Sequence, residues 1–171
     1  MAPVTLSELL SARDARAGRQ FAFLTARQDK VLVCLTVSLP GPVKRDGRSL
    51  RIAREGVEAV RSVLHPVEED IRDLPTGFEG YFLVDGTPDQ VKRTCCFLED
   101  SLPLGRLMDL DVILLREGMP VPLSRTALGL EERRCLLCER PARACMRAHS
   151  HSLEALNAEI SRLLDDFANN L

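Results

Sequence analysis

Tryptophan is absent from this 171-residue sequence, tyrosine occurs once and phenylalanine six times. The core must therefore be largely aliphatic, and the aromatic platforms on which single-stranded nucleic acid stacks are not expected. Charge of one sign is also lacking: the formal net charge is −2, which argues against nucleic-acid binding driven by bulk charge. No run approaches the roughly 18 apolar residues of a membrane span. The opening MAPVTLSELLSARDAR has no continuous apolar stretch and is charged by Glu8, unlike a secretory signal. The expectation is a soluble cytoplasmic protein with reduced thiols, without nucleic-acid or membrane partners.

What is plentiful is arginine and, for a cytoplasmic chain, cysteine. Of 23 basic residues 20 are Arg, and there are six Cys. The charge is unevenly placed. Residues 1–64 hold eleven Lys/Arg against six Asp/Glu, residues 65–117 five against twelve, and residues 118–171 seven of each. A basic first third facing an acidic middle suits a polyanionic ligand gripped by Arg and a metal gripped by carboxylates. A codon bias toward Arg would give the same total.

The length suits one domain over 1–171. Thr5 and Glu8 form a capping-box pattern, and Leu6, Leu9 and Leu10 begin an apolar helical stripe running to the mid-20s. Val31 to Leu39 reads as a buried strand, stopped by Pro40-Gly41-Pro42. Leu50, Ala53, Val57, Val60 and Leu64 mark a helix from Ser49 that ends near His65. Short strands are expected over 66–74 and 78–84. Thr87-Pro88-Asp89-Gln90 starts a further helix. Leu110 to Leu115 predicts a strand turned by Glu117-Gly118. A Cys/His-containing helical segment is expected over about 128–171, with helices at 128–137, 141–149 and from Leu153 to Phe167. The fold class is α+β: a small mixed or antiparallel sheet packed by helices, compatible with a nucleotidyltransferase-like arrangement.

Two segments carry chemistry. In Pro103-Leu-Gly-Arg-Leu-Met-Asp-Leu-Asp-Val112 a strand would turn Asp109 and Asp111 to one face and Leu110 and Val112 to the core. Carboxylates about 6–7 Å apart along a strand can share one hard cation, usually Mg²⁺, whose other positions go to phosphate oxygens and water. Gly105 would admit backbone to the phosphates and Arg106 would neutralise one. An Asp-x-Asp pair arises by chance about once in a chain of this Asp content, so the Gly-Arg turn before it is what singles it out. The second segment is Cys135-Leu-Leu-Cys138 with Cys145 and a histidine at 149 or 151. Three thiols and an imidazole fit tetrahedral Zn²⁺. A buried thiol cluster and a redox pair are the alternatives, and helical spacing from Cys145 favours His149. Arg13, Arg16 and Gln20 share one helix face, and Lys44 follows the Pro-Gly-Pro loop; a solvated surface and a simple turn are the ordinary readings of each. Cys34, Cys95 and Cys96 read as core residues.

Together these motifs resemble one family. Arg-Asp-x-Arg-x₃-Gln in the first helix, Pro-Gly-Pro-x-Lys, Pro-Leu-Gly-Arg-x₂-Asp-x-Asp-Val, and Arg-Arg-Cys-Leu-Leu-Cys with a later Cys, Arg and His are similar to the citrate lyase holo-acyl-carrier-protein synthases. The likeness runs from about Leu6 to the last helix and implies a nucleotidyl transfer. The donor would be 2′-(5″-triphosphoribosyl)-3′-dephospho-CoA, the acceptor a serine of the citrate lyase acyl carrier protein (its γ subunit), and pyrophosphate the by-product. On this resemblance Asp109 and Asp111 would hold Mg²⁺ and Arg106 would meet the donor phosphates. Arg13, Arg16, Lys44 and Arg51 would bind the rest of the donor, and His151 would complete the zinc set. Transfer to another carrier or a small molecule, and a non-enzymatic zinc-stabilised carrier-binding module, are the competing readings. Nothing functional is assigned to 66–100.

Overall fold

A computed structural model describes residues 3–170. The aliphatic run Val31–Val37 forms a strand (β1) with its first five residues buried, as expected for a chain covered on both faces. It occupies the centre of a five-stranded sheet completed by Glu68–Leu74 (β2), Gly77–Val84 (β3), Met108–Arg116 (β4) and Met119–Pro122 (β5), in the order β2-β3-β1-β4-β5. Every pairing is antiparallel. Helix Gly47–Leu64 (α2) joins β1 to β2, and helix Pro88–Ser101 (α3) joins β3 to β4. Each joined pair of strands runs parallel with a third strand between. This double split-βαβ arrangement is that of ferredoxin-like folds, with β5 added at one edge.

The pleat divides the interior in two. Val31, Val33 and Leu35 enter the larger core with Ile52 and Val60 of α2, Cys95 and Leu98 of α3, and Ile160 and Leu164 of the last helix, Leu153–Asn169 (α5). Each such side chain contributes about 1.5–3 kcal/mol on burial. Leu32 and Cys34 face the other way, into a small cluster with Tyr81, Leu83, Ile113 and Leu24 of the first helix, Leu6–Ala26 (α1).

The capping boxes at Thr5–Glu8 and Thr87–Gln90 are both formed. A third, Asp46–Ser49, starts α2 two residues before the position read from the apolar pattern. His65 closes α2 in the left-handed conformation, at φ 48°. Glu117 and Gly118, at φ 51° and 76°, make the two-residue turn whose twist suits a hairpin, β4 to β5.

The helix expected from the Thr5 cap to the mid-20s is present as α1, with Leu6 and Leu10 exposed and Leu24 buried. One expectation is corrected: 128–137 is not helical. A 3₁₀ turn over Thr126–Leu128 stops at Gly129 in the left-handed region, and an irregular loop leads to the six-residue helix Ala142–Arg147 (α4). The loop is tied by Cys135 N–H donating to Arg140 O at 2.7 Å and Ala142 N–H to Arg133 O at 2.8 Å. This tight reversal brings the two thiols of the Cys-x₂-Cys segment toward Cys145 and His151.

Candidate active site and metal centre

β5 covers only Ile113–Arg116 of β4, so the stretch Met108–Asp111 has an open edge. Side chains finish the hydrogen bonding there. Glu99 Oε1 accepts from Leu110 N–H at 2.7 Å, Lys92 Nζ donates to Leu110 O at 3.0 Å, and Arg133 donates to Met108 O at 2.8 Å. Lys92 and Glu99 come from α3, where they lie on the same buried stripe as Cys95 and Cys96.

Along this edge a cavity of about 730 Å³ opens between the sheet, α3 and the C-terminal loop. Asp109 and Asp111 stand on one strand face, opposite Thr36 and Cys34 in the register with β1, and both line the cavity. Burial in the cleft pushes the Asp109 carboxyl above the usual range, against the pull of the Arg133 guanidinium that pairs with it. Although Asp109 is 41% exposed by surface, that surface opens onto the cleft, with protein around it on most sides. Asp111 is half-exposed, with Lys92 Nζ 3.5 Å from its Oδ1. The lining carries seven Lys/Arg side chains and four carboxylates, so a chain of net charge −2 surrounds this cavity with an excess of cations.

Those cations are mostly not the ones the sequence pointed to. Arg106 and Lys44 do line the cavity. Arg106 donates to the carbonyl of Cys135, and Lys44 donates to Leu39 O at 2.7 Å, with burial lowering its pKa. Arg13 is exposed. Arg16 pairs with the buried Glu79 at 2.8 Å, and Glu79 also accepts from Tyr81 Oη at 2.5 Å. Arg51 lies over the Phe167 ring at 5.2 Å. None of these three lines the cavity. Much of the basic first third is neutralised by the acidic middle: Arg19 meets Asp70, Arg27 meets Glu68, Lys30 meets Asp85, Arg45 meets Asp73 and Arg61 meets Glu69.

Gly105 packs inward. A Cβ there would sit 2.5 Å from Glu99 O and 2.6 Å from Leu98 O, so the residue lets the 3₁₀ turn Gly105–Leu107 close on the end of α3. The residues missed from sequence are Lys92, Glu99, Arg125 and Arg133. Arg125 joins Glu99 at 2.5 Å and Asp100 at 2.9 Å. The available signal was a lysine and a glutamate interrupting the apolar stripe of α3.

On the far wall, the thiols of Cys135, Cys138 and Cys145 and a ring nitrogen of His151 all lie within 4.8 Å of one another. Cys138 Sγ is 3.5 Å from Cys145 Sγ and 3.4 Å from His151 Nε2. Metal–sulfur bonds of about 2.3 Å in a tetrahedron put donors roughly 3.7 Å apart, so this Cys₃His cluster can hold a metal ion such as zinc. His151 completes the set, whereas His149, at φ 45°, lies outside it. Donation from the Arg140 backbone N–H and guanidinium, then from His151, holds the Cys138 thiol down to about 6, favouring the thiolate that binds metal. The other three cysteines are buried, Cys34 and Cys95 within the apolar clusters and Cys96 beside Arg125. Burial pushes Cys34 and Cys95 each up to about 12, as inert core thiols.

Arg133 and Arg106 link the two halves. Arg133, two residues before Cys135, pairs with Asp109 and donates to the carbonyls of Arg106 and Met108 at 2.6 and 2.8 Å.

Comparison with known proteins gives a match along most of the chain. The family described as apo-citrate lyase phosphoribosyl-dephospho-CoA transferase matches residues 4–167. A probable apo-citrate lyase phosphoribosyl-dephospho-CoA transferase of Streptococcus pyogenes serotype M18 is 38% identical over 97% of this chain and 88% of its own length. Proteins named apo-citrate lyase phosphoribosyl-dephospho-CoA transferase from Citrobacter koseri and Escherichia coli O1:K1 are each 37% identical over 95% of this chain and 90% of their own. With nearly every residue matched, the chain belongs to the apo-citrate lyase phosphoribosyl-dephospho-CoA transferase family.

Proposed function

We propose that this protein is the transferase that loads the citrate lyase acyl carrier protein. It moves 5-phosphoribosyl-dephospho-CoA from 2′-(5″-triphosphoribosyl)-3′-dephospho-CoA to a carrier serine and releases pyrophosphate. The observation that carries this reading is the cation-rich cavity with Asp109 and Asp111 on one wall, in a chain matched by the family along nearly its whole length.

In the reaction the serine Oγ attacks the phosphorus joined to the ribose. The bond from that phosphorus to the bridging oxygen breaks, and pyrophosphate leaves with the electron pair. The hydroxyl proton passes to a base or to water, and a phosphodiester to serine remains. Asp109 and Asp111 would hold Mg²⁺, and the pair fits a hard cation: two carboxylates on one strand face, both at the cavity, Asp111 half-exposed. When bound, the ion supplies charge neutralisation for the phosphates and the leaving pyrophosphate. Arg106 and Lys44 add positive charge to the lining of the same cavity, while Leu107, Leu123, Leu136 and Ile160 give it apolar surface for the uncharged parts of the donor. Arg13, exposed on α1, is free to meet donor phosphates reaching beyond the cavity.

Zinc in the Cys₃His cluster is structural in this reading. Cys135, Cys138, Cys145 and His151 would supply all four donors, and the ion would fix the loop from which Arg133 reaches Asp109.

Pyrophosphate release tests the assignment. With donor, Mg²⁺ and apo-carrier, one equivalent should appear per carrier molecule. Release no faster than in a protein-free control would overturn it.

A further inference from the structure

Lys92 is 4% exposed, and lysine is almost never so buried unless it is paired. Its pairing here is incomplete. Leu110 O accepts at 3.0 Å, and Asp111 Oδ1 lies at the 3.5 Å limit. An ammonium has three donors, and the third has no protein acceptor among the described residues. The neighbouring cations differ. Arg133 donates to the carbonyls of Gly105, Arg106 and Met108, which hold it whatever Asp109 binds, and Arg125 is paired with Glu99 and Asp100. Lys92 is thus the deeply buried cation of the cavity wall with bonding capacity to spare.

Its nearest anion is also informative. Asp111 is one of the two carboxylates proposed above to hold a divalent cation. Once engaged in that way, its charge no longer serves Lys92, and a buried ammonium left without a counter-charge is costly. Glu99 and Asp109 also face Lys92 through space, but each already serves an arginine, Arg125 and Arg133, so a bound anion is the counter-charge that fits. Resting on the transfer reaction proposed above, we propose that Lys92 is a direct ligand of the donor's triphosphate, on the portion that departs as pyrophosphate. There it balances the charge that grows on the leaving group as the bond to phosphorus breaks.

The test uses inorganic pyrophosphate as probe, titrated calorimetrically in the presence of Mg²⁺ against the whole protein, with dephospho-CoA, which lacks the triphosphate, as the second ligand. Lys92→Gln removes the charge and keeps a hydrogen-bond donor on a side chain one bond shorter, and melting curves report whether it folds. It should bind pyrophosphate about tenfold or more weakly and dephospho-CoA as the unaltered protein does. Lys92→Arg, which keeps the charge, should recover part of the loss. Unchanged pyrophosphate binding in a folded Lys92→Gln variant would overturn the assignment, as would an equal loss for both ligands, the mark of a structural lysine. If the unaltered protein loads the carrier yet Lys92→Gln binds pyrophosphate normally, Lys92 fails alone. If the unaltered protein neither loads the carrier nor binds pyrophosphate, the transfer reading fails and takes this inference with it.

Discussion

Arg133 and Asp109 form an ion pair across 24 residues of sequence, joining the loop that carries the Cys₃His cluster to the strand that carries the acidic pair. The same guanidinium donates to the carbonyls of Arg106 and Met108, so one side chain fixes both the carboxylate and the turn leading to it. Arg133→Lys, whose compact ammonium cannot fork to several acceptors, should lose transfer activity by about tenfold or more while the sheet still folds. Steady-state kinetics beside a melting curve checks this, and a rate equal to the unaltered protein's would show that the pair is dispensable.

Two glycines should respond oppositely to alanine. At Gly105 a Cβ meets the backbone oxygens of Leu98 and Glu99, and backbone cannot step aside cheaply, so Gly105→Ala should cost about 2 kcal/mol or more. At Gly18, inside α1, nothing lies within 4 Å, and alanine should add about 0.5–1 kcal/mol. Urea titration of both variants measures the contrast.

That contrast bears on what could be read from sequence. Gly105 stood out because of the motif around it, but its function in packing depends on the end of α3, which no local pattern reveals. The strands and the caps at Thr5 and Thr87 were legible because periodicity and capping are local. The pairing of Asp109 with Asp111 was legible for the same reason. The cluster of Cys135, Cys138 and Cys145 was legible as spacing, although its loop was read as helix and local geometry favoured the wrong histidine. Lys92 and Glu99 were visible only as charges interrupting the apolar stripe of α3, and what they and Arg133 do was not legible, because they act on an edge that exists only where β5 stops short of Asp111. The charge segregation was real, but Arg16, Arg19 and Arg45 spend it on Glu79, Asp70 and Asp73.

Metal analysis of protein purified under reducing conditions should find about one zinc per chain, and Cys138→Ser should lose it. Hydrogen exchange over 130–151 should then rise by an order of magnitude or more, while amides of β1, buried at the sheet centre, stay protected. A Cys95→Ala variant should retain the metal. Protein without zinc but with full protection over 130–151 would remove the metal from the account.

Glu99 gives a pH signature. Burial raises its pKa above the ordinary carboxylate value, more than donation from Arg125 lowers it. The folded state therefore holds this proton to higher pH than the unfolded state does, and stability must fall as pH rises from the unfolded value through the folded one. Glu99→Gln still accepts from Leu110 N–H but does not titrate. Subtracting its melting temperatures from those of the unaltered protein between pH 4 and 7 should expose this fall. A difference that rises with pH would contradict the sign.

The transfer itself is tested most directly by the intact mass of the citrate lyase acyl carrier protein after incubation with this protein, Mg²⁺ and triphosphoribosyl-dephospho-CoA. The carrier should become heavier by one phosphoribosyl-dephospho-CoA group, and should keep its mass with a folded Asp111→Asn variant. A carrier left at its original mass by the unaltered protein, with the donor verified as intact, would contradict it.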